Sequence, residues 1–185
     1  MKDAAKDPFL GARPRLKRRS SADIGMSAGT IHSINVSLRK GEPKTPVPEA
    51  EIVAGEGIRG DAHRGFGHRQ VSLLMLESIE EQKRMSGGED KAKAAGVAIV
   101  PGIFAENLTT RGIDLRGLRI GDTLIIRRGR GRVRVRLRVS QIGKECRTRC
   151  AIYRLAGDCI MPRRGIFCEV VAGGTVRAGD RIEKR

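Results

Sequence analysis

The run RRGRGRVRVRLRV, residues 127–139, places arginine at 128, 130, 132, 134, 136 and 138, with Gly129, Gly131, Val133, Val135, Leu137 and Val139 between them. A period of two is the signature of a strand, which would put all six arginines on one face and the small and aliphatic residues on the other. Working outward, short β-type runs recur at DTLIIR, VSQIG, GIFCEVV and DRIEK, with turn residues every 8 to 12 positions. Closely spaced strands of this kind predict a mainly β domain, a barrel or a sandwich.

Upstream, GTIHSINVS reads as a strand, RKGEPKTPVP as a loop, AEIVAG as a second strand and RQVSLLM as a third. The Gly-rich GIRGDAHRGFGH between the last two holds His63 and His68. The segment LLMLESIEEQKRM puts Leu73, Leu76, Ile79 and Glu80 at helical spacing and predicts a helix, followed by a second around Glu89 to Ala95. RIGDTLII and RAGDRIEK each open a strand with Gly-Asp, and the aspartates there are expected to accept turn hydrogen bonds.

The whole chain sets bounds. At 185 residues it is expected to form one domain, and a hydrophobic fraction of 39% with 24 glycines fits a turn-rich globular protein. Aromatic residues are only 3%, which removes most of the stacking surface that single-strand nucleic-acid binders use. A formal charge of +16 favours anionic partners. The longest apolar candidate, AAGVAIVPGIFA, is short and broken by Pro101 and Gly102, so no membrane helix is expected. Residues 1–27, basic but without an apolar core, read as an unstructured arm, with Met26 as an alternative start, and the absence of a secretion signal points to the cytoplasm. The domain then covers 28–185.

The arginine run has two readings. It is either a solvated outer face that discourages edge-to-edge pairing or a stripe that grips an anion or a nucleic-acid backbone, with binding that weakens steeply in salt.

Four cysteines are present, Cys146, Cys150, Cys159 and Cys168. Cys146 and Cys150 would lie about 13 Å apart along an extended strand, too far for a disulfide unless the chain turns. Zinc would need a second compact ligand pair, and Cys159 and Cys168 are nine residues apart. Cys168, inside GIFCEVV, reads as a buried small hydrophobe. Cys150 differs: Lys144, Arg147 and Arg149 precede it, and such groups can stabilise a thiolate. No orienting base is evident for a protease-like triad, which leaves a thiol that binds a soft metal or carries sulfur.

The pieces GEPKTPV, GIRGDAHRG, RQVSLLMLE, PGIFAENLTTRGIDL, GDTLII, VSQIGKECRTRC, GIFCEVVAGG and the closing V-x-x-GD-x-I occur here in the order found in the MOSC domain. The chain resembles that module, which forms the C-terminus of molybdenum cofactor sulfurases and also occurs alone, over about Thr30 to Ile182. The resemblance implies a β-barrel with a few peripheral helices and a pocket for molybdopterin, the pterin of the molybdenum cofactor. In members such as the mitochondrial amidoxime-reducing component a cysteine ligates molybdenum, and that motif aligns with Arg149, Cys150, Ala151 and Ile152. The same matching makes Cys150 the catalytic or metal-ligating residue and places His63, Arg64, Arg69, Asn107, Lys144 and Arg149 around the cofactor. Implied partners are a cysteine desulfurase or a molybdoenzyme. The pyridoxal phosphate of full sulfurases belongs to an aminotransferase-like domain that this sequence lacks, so that cofactor is not expected.

Overall fold

A computed structural model describes residues 27–85, 88–146 and 150–185. All of the basic arm but Ser27 lies outside them, as do Arg147 and Arg149. Strand β1 (Ala28–Val36) opens the domain; β2 (Thr45–Val47), β3 (Glu49–Val53), β4 (Gly57–Ile58) and β5 (Val71–Met75) follow. Helices α1 (Leu76–Arg84) and α2 (Gly88–Ala94) lead to β6 (Leu108–Arg111), a 3-10 turn at Leu115–Gly117, β7 (Thr123–Arg127) and β8 (Val133–Ile142). Then come α3 (Ala151–Ala156), α4 (Met161–Arg164), β9 (Ile166–Ala172), β10 (Gly174–Arg177) and β11 (Arg181–Lys184).

Seven strands run in the order β11-β7-β8-β9-β5-β6-β1, and β1 pairs again with β11 through Ala28, Gly29 and Thr30, which closes a barrel. β2 flanks β1 outside the ring, and β10, β3 and β4 form a separate small sheet. Closure leaves the ring strands without free edges. The β5–β6 pair is parallel while the other neighbours are antiparallel. A parallel pair needs a long crossover, and α1 and α2 supply it.

This crossover creates a second core. The barrel interior is aliphatic, with Ile31, Leu73, Val135, Leu137, Val139 and Ile182 buried together. Outside the wall, Leu74, Ile79, Ile99, Phe104, Ile152 and Phe167 pack beneath the helices. β5 therefore has both faces covered, Leu73 inward and Leu74 outward, which is why VSLLM is continuously apolar. The same double duty moves the helix boundary: the predicted helix through Leu73 begins at Leu76, because Leu73 to Met75 pair with Leu108 to Thr110.

The arginine run is corrected in a similar way. Arg127 pairs with Val133 and the chain reverses between them, with Gly129 at φ +55°, so only Arg134, Arg136 and Arg138 lie on the exposed face of β8 while Arg128, Arg130 and Arg132 sit in the turn. Both Gly-Asp aspartates accept turn hydrogen bonds as expected, Asp122 from the Arg119 amide at 2.8 Å and Asp180 from the Arg177 amide at 2.9 Å. Strands β2 and β4 fall in segments the sequence reads as loops, and strands β6 and β10 and helices α3 and α4 are not predicted from it.

Candidate functional site

The loop after β4 is organised around one buried carboxylate. Asp61 accepts from the backbone amides of Ser37 at 3.1 Å and His63 at 3.0 Å and forms an ion pair with Lys44. Both side chains of the pair are out of water, at 0% and 1% exposure. Burial opposes the charge on Asp61, but the His63 and Lys44 hydrogen bonds outweigh it and hold its carboxyl well below the usual range. Burial also pulls the Lys44 ammonium below its ordinary value, against the attraction of Asp61. His63 Nδ1 lies 3.5 Å from Asp61 Oδ1 and 3.4 Å from Lys44 Nζ, so the pair fixes the imidazole at the surface of the loop.

A second loop, Pro101 to Asn107, is tied to the same lysine. The Lys44 amide donates to the Gly102 carbonyl at 2.8 Å, and Gly102 at φ +92° would bring an added Cβ to 2.2 Å from the Lys44 carbonyl. Only glycine allows that approach. The loop continues through Ala105 at φ +62°, a left-handed conformation uncommon for a residue with a Cβ. Glu106 at the end of this loop is fully buried: Oε1 accepts from the Gly102 amide at 2.6 Å and from Thr109 Oγ1 at 2.8 Å, while Oε2 has no hydrogen-bond partner among the described residues. Burial raises its pKa, more than these donors lower it.

The two loops, the segment after β8 and the start of β9 enclose a cavity of about 320 Å³. Of the residues predicted from sequence, His63, Arg69, Asn107, Lys144 and Cys150 line it. Arg64 is not among them, because its guanidinium is held by Glu56 on the surface. Arg149 lies outside the described residues. Asn107 forms part of the wall, but its amide is engaged: Oδ1 accepts from Ser72 Oγ at 3.0 Å and the Ser72 amide at 3.1 Å, and Nδ2 donates to the Asn35 carbonyl at 3.3 Å. It staples β5 to β1.

Cys150 occupies the position just before α3, with no side-chain hydrogen bond to the helix end, and is half-buried against the helical core that holds Phe104 and Phe167. Cys146, exposed, lines the same cavity. Burial pushes the thiol of Cys159 up to about 11, and that of Cys168, inside the barrel, higher still. Thus the four sulfurs divide into two that reach the cavity and two that burial keeps protonated.

The sequence reading missed the mouth of the cavity. Phe66, 37% exposed, carries Lys40 Nζ at 4.3 Å and Arg69 Cζ at 4.9 Å from its ring centroid. Arg69 also lies 5.9 Å from the Phe167 ring. These cation–π contacts hold two positive groups beside a third, Lys144. An exposed phenylalanine in a Gly-rich loop was the available signal.

Among the described residues no cluster of three or more His, Cys, Asp or Glu side chains is placed to hold a metal ion. A metal seated here would take its other ligands from a cofactor. The donor set suits molybdopterin on chemical grounds, with cations for a phosphate and a thiol for a soft coordination shell.

A closed β-barrel carrying a cationic, thiol-bearing cavity over a helical crossover is the class that fold and site define. The MOSC domain model matches residues 60–183, more than half of the chain, and the chain belongs to that family. Solved structures agree on the fold. YuaD from Bacillus subtilis superposes with a TM-score of 0.63 at 22% identity, covering 85% of this chain and 95% of its own. YiiM from Geobacillus stearothermophilus gives 0.57 at 17%, covering 84% and 74%, and YiiM from Escherichia coli gives 0.53 at 19%, covering 86% and 68%. No curated protein matches it in sequence.

Proposed function

We propose that the chain binds molybdopterin in this cavity and uses Cys150 either as a thiolate ligand to molybdenum or as the carrier of a persulfide sulfur, in cofactor delivery, sulfuration or reduction of N-oxygenated compounds. The observation that carries the reading is the convergence of one half-buried thiol with Lys40, Arg69 and Lys144 on a single cavity. When bound, the cofactor supplies the dithiolene that holds the metal. The residues of the chain have separate tasks. Lys40, Lys144 and Arg69 neutralise the phosphate, Phe66 holds two of them in place, and the Lys44–Asp61 pair fixes His63 at the wall.

As a carrier, Cys150 would accept the terminal sulfur of a donor persulfide, R–S–SH, giving Cys150–S–SH and the free donor thiol R–SH. A cysteine desulfurase is the donor of that chemistry, and a molybdoenzyme the recipient. Four unbridged cysteines among the described residues suit a reducing compartment, in keeping with a cytoplasmic protein. No helix among the described residues is long and apolar enough to cross a membrane.

Cys150→Ser is expected to lose molybdenum retention and persulfide labelling, while Cys168→Ala, inside the barrel, keeps both. Equal behaviour of the two variants would end the assignment.

A further inference from the structure

The arginine hairpin lies at the far end of the barrel from this cavity and has no part in the reading above. β8 runs from Val133, beside the turn, to Ile142, just before Lys144, and β9 runs back from Phe167 at the cavity to Ala172, which pairs with Arg136. Elsewhere on the surface many arginines are matched by acids, among them Arg39 with Glu42, Arg59 with Glu51, Arg116 with Asp114, Arg163 with Asp158 and Arg177 with Glu49, while Arg84, Arg111, Arg119 and Arg154 are exposed at scattered positions with no carboxylate partner among the described residues. The ends of the run are paired, Arg128 with Asp180 and Arg138 with Glu169. Between them Arg130, Arg132, Arg134 and Arg136 are exposed and have no carboxylate partner among the described residues.

Their surroundings form a groove. Arg128, Arg132 and Arg134 border a cleft of about 530 Å³ with Gly131, Gly174 and Thr175. Its floor is close-packed backbone, since a Cβ at Gly174 would lie 2.5 Å from the Arg134 carbonyl. Arg134 and Arg136, alternate residues of β8, stand about 6.7 Å apart on one face, and with Arg130 and Arg132 in the adjoining turn they form an extended cationic surface rather than a single anion pocket. Guanidinium is the group that grips phosphate with two parallel bonds. Phe66, Phe104, Phe167 and Tyr153 all lie toward the cavity or its helices, so no described aromatic side chain is there to stack on unpaired bases.

We propose that the β7–β8 hairpin is a docking surface for the phosphate backbone of double-stranded nucleic acid, read without regard to base sequence. The test uses the full chain and mixed-sequence duplex RNA and duplex DNA, with affinity followed by fluorescence anisotropy from about 50 to 200 mM salt. Replacing Arg130, Arg132, Arg134 and Arg136 together by Gln should reduce the slope of log K against log salt by about three to four, at roughly 0.9 per lost phosphate contact. The corresponding four-Lys variant, which keeps the charge, should retain the slope, and Cys150→Ser should bind as the wild type does. Failure of the wild type to bind either duplex near 50 mM salt overturns the proposal. So do equal slopes for the wild type and the four-Gln variant, or retention on phosphatidylglycerol vesicles without retention on duplex.

Discussion

Replacing Asp61 by Asn removes the charge at the fixed point of the cavity wall while keeping the side chain's shape. Lys44 is then left with a buried ammonium and no anion, since both members of the pair are out of water. The lysine can respond by giving up its proton, which from an ordinary value of 10.5 costs about 5 kcal/mol at pH 7. That figure bounds the loss from above, and broken buried pairs cost about 3–5 kcal/mol. We expect Asp61→Asn to lose about 3–5 kcal/mol at pH 7. If Lys44 is neutral in the folded variant, the unfolded chain binds the extra proton, so the deficit shrinks as pH rises, by up to about 1.4 kcal/mol per unit. Asp61→Asn with Lys44→Met removes both charges and should recover most of the stability. Urea unfolding followed by circular dichroism at pH 7 and pH 9 gives all three values, provided the m-value is unchanged. A single-variant loss under about 1 kcal/mol, or a double variant no more stable than the single, would refute the role assigned to the pair.

Three further outcomes follow from the same geometry. The wild type should lose stability as pH falls below about 4, where the unfolded chain takes up the proton that Asp61, held low in the fold, still lacks, so Asp61→Asn should be less acid-sensitive than the wild type. Glu106 has the opposite sign: its raised pKa means the folded state holds the proton longer than the unfolded one, so its ionisation costs stability as pH rises above about 4.3, and Glu106→Gln should gain on the wild type between pH 4 and pH 7 in urea titrations. Alkylation of the native protein should modify Cys146 and Cys150 first, with Cys159 and Cys168 reacting only on unfolding, as mass spectrometry of quenched samples would report.

The parts of the fold legible in the sequence are those where the local pattern and the tertiary environment agree. β8 alternates because one face fills the barrel and the other meets water, and β9 reads as apolar because it is covered. The end of β5 was misjudged because Leu73 sits at helical spacing from Leu76 and Ile79, and only its pairing with Leu108 decides for strand. α3 is six residues long, too short for periodicity to register. In the cavity, the family motifs pointed to His63, Arg69, Asn107, Lys144 and Cys150. Lys40 and Phe66 lie just outside the motif pieces, and Lys44 and Asp61, though within GEPKTPV and GIRGDAHRG, were not singled out, because their roles arise from contacts across loops and a charged residue in a Gly- and Pro-rich segment looks solvated until its partner is placed. Arg64 stands beside His63 in sequence, yet Glu56 draws it outward.

The central claim, that the cavity takes a molybdenum-bearing pterin with Cys150 as its thiolate ligand or sulfur carrier, is tested most directly by metal and pterin analysis of protein purified from a host that makes the cofactor. The account predicts molybdenum and a fluorescent oxidised pterin each near one per chain. Protein that carries neither, and forms no persulfide at Cys150 when offered a desulfurase and cysteine, would contradict it.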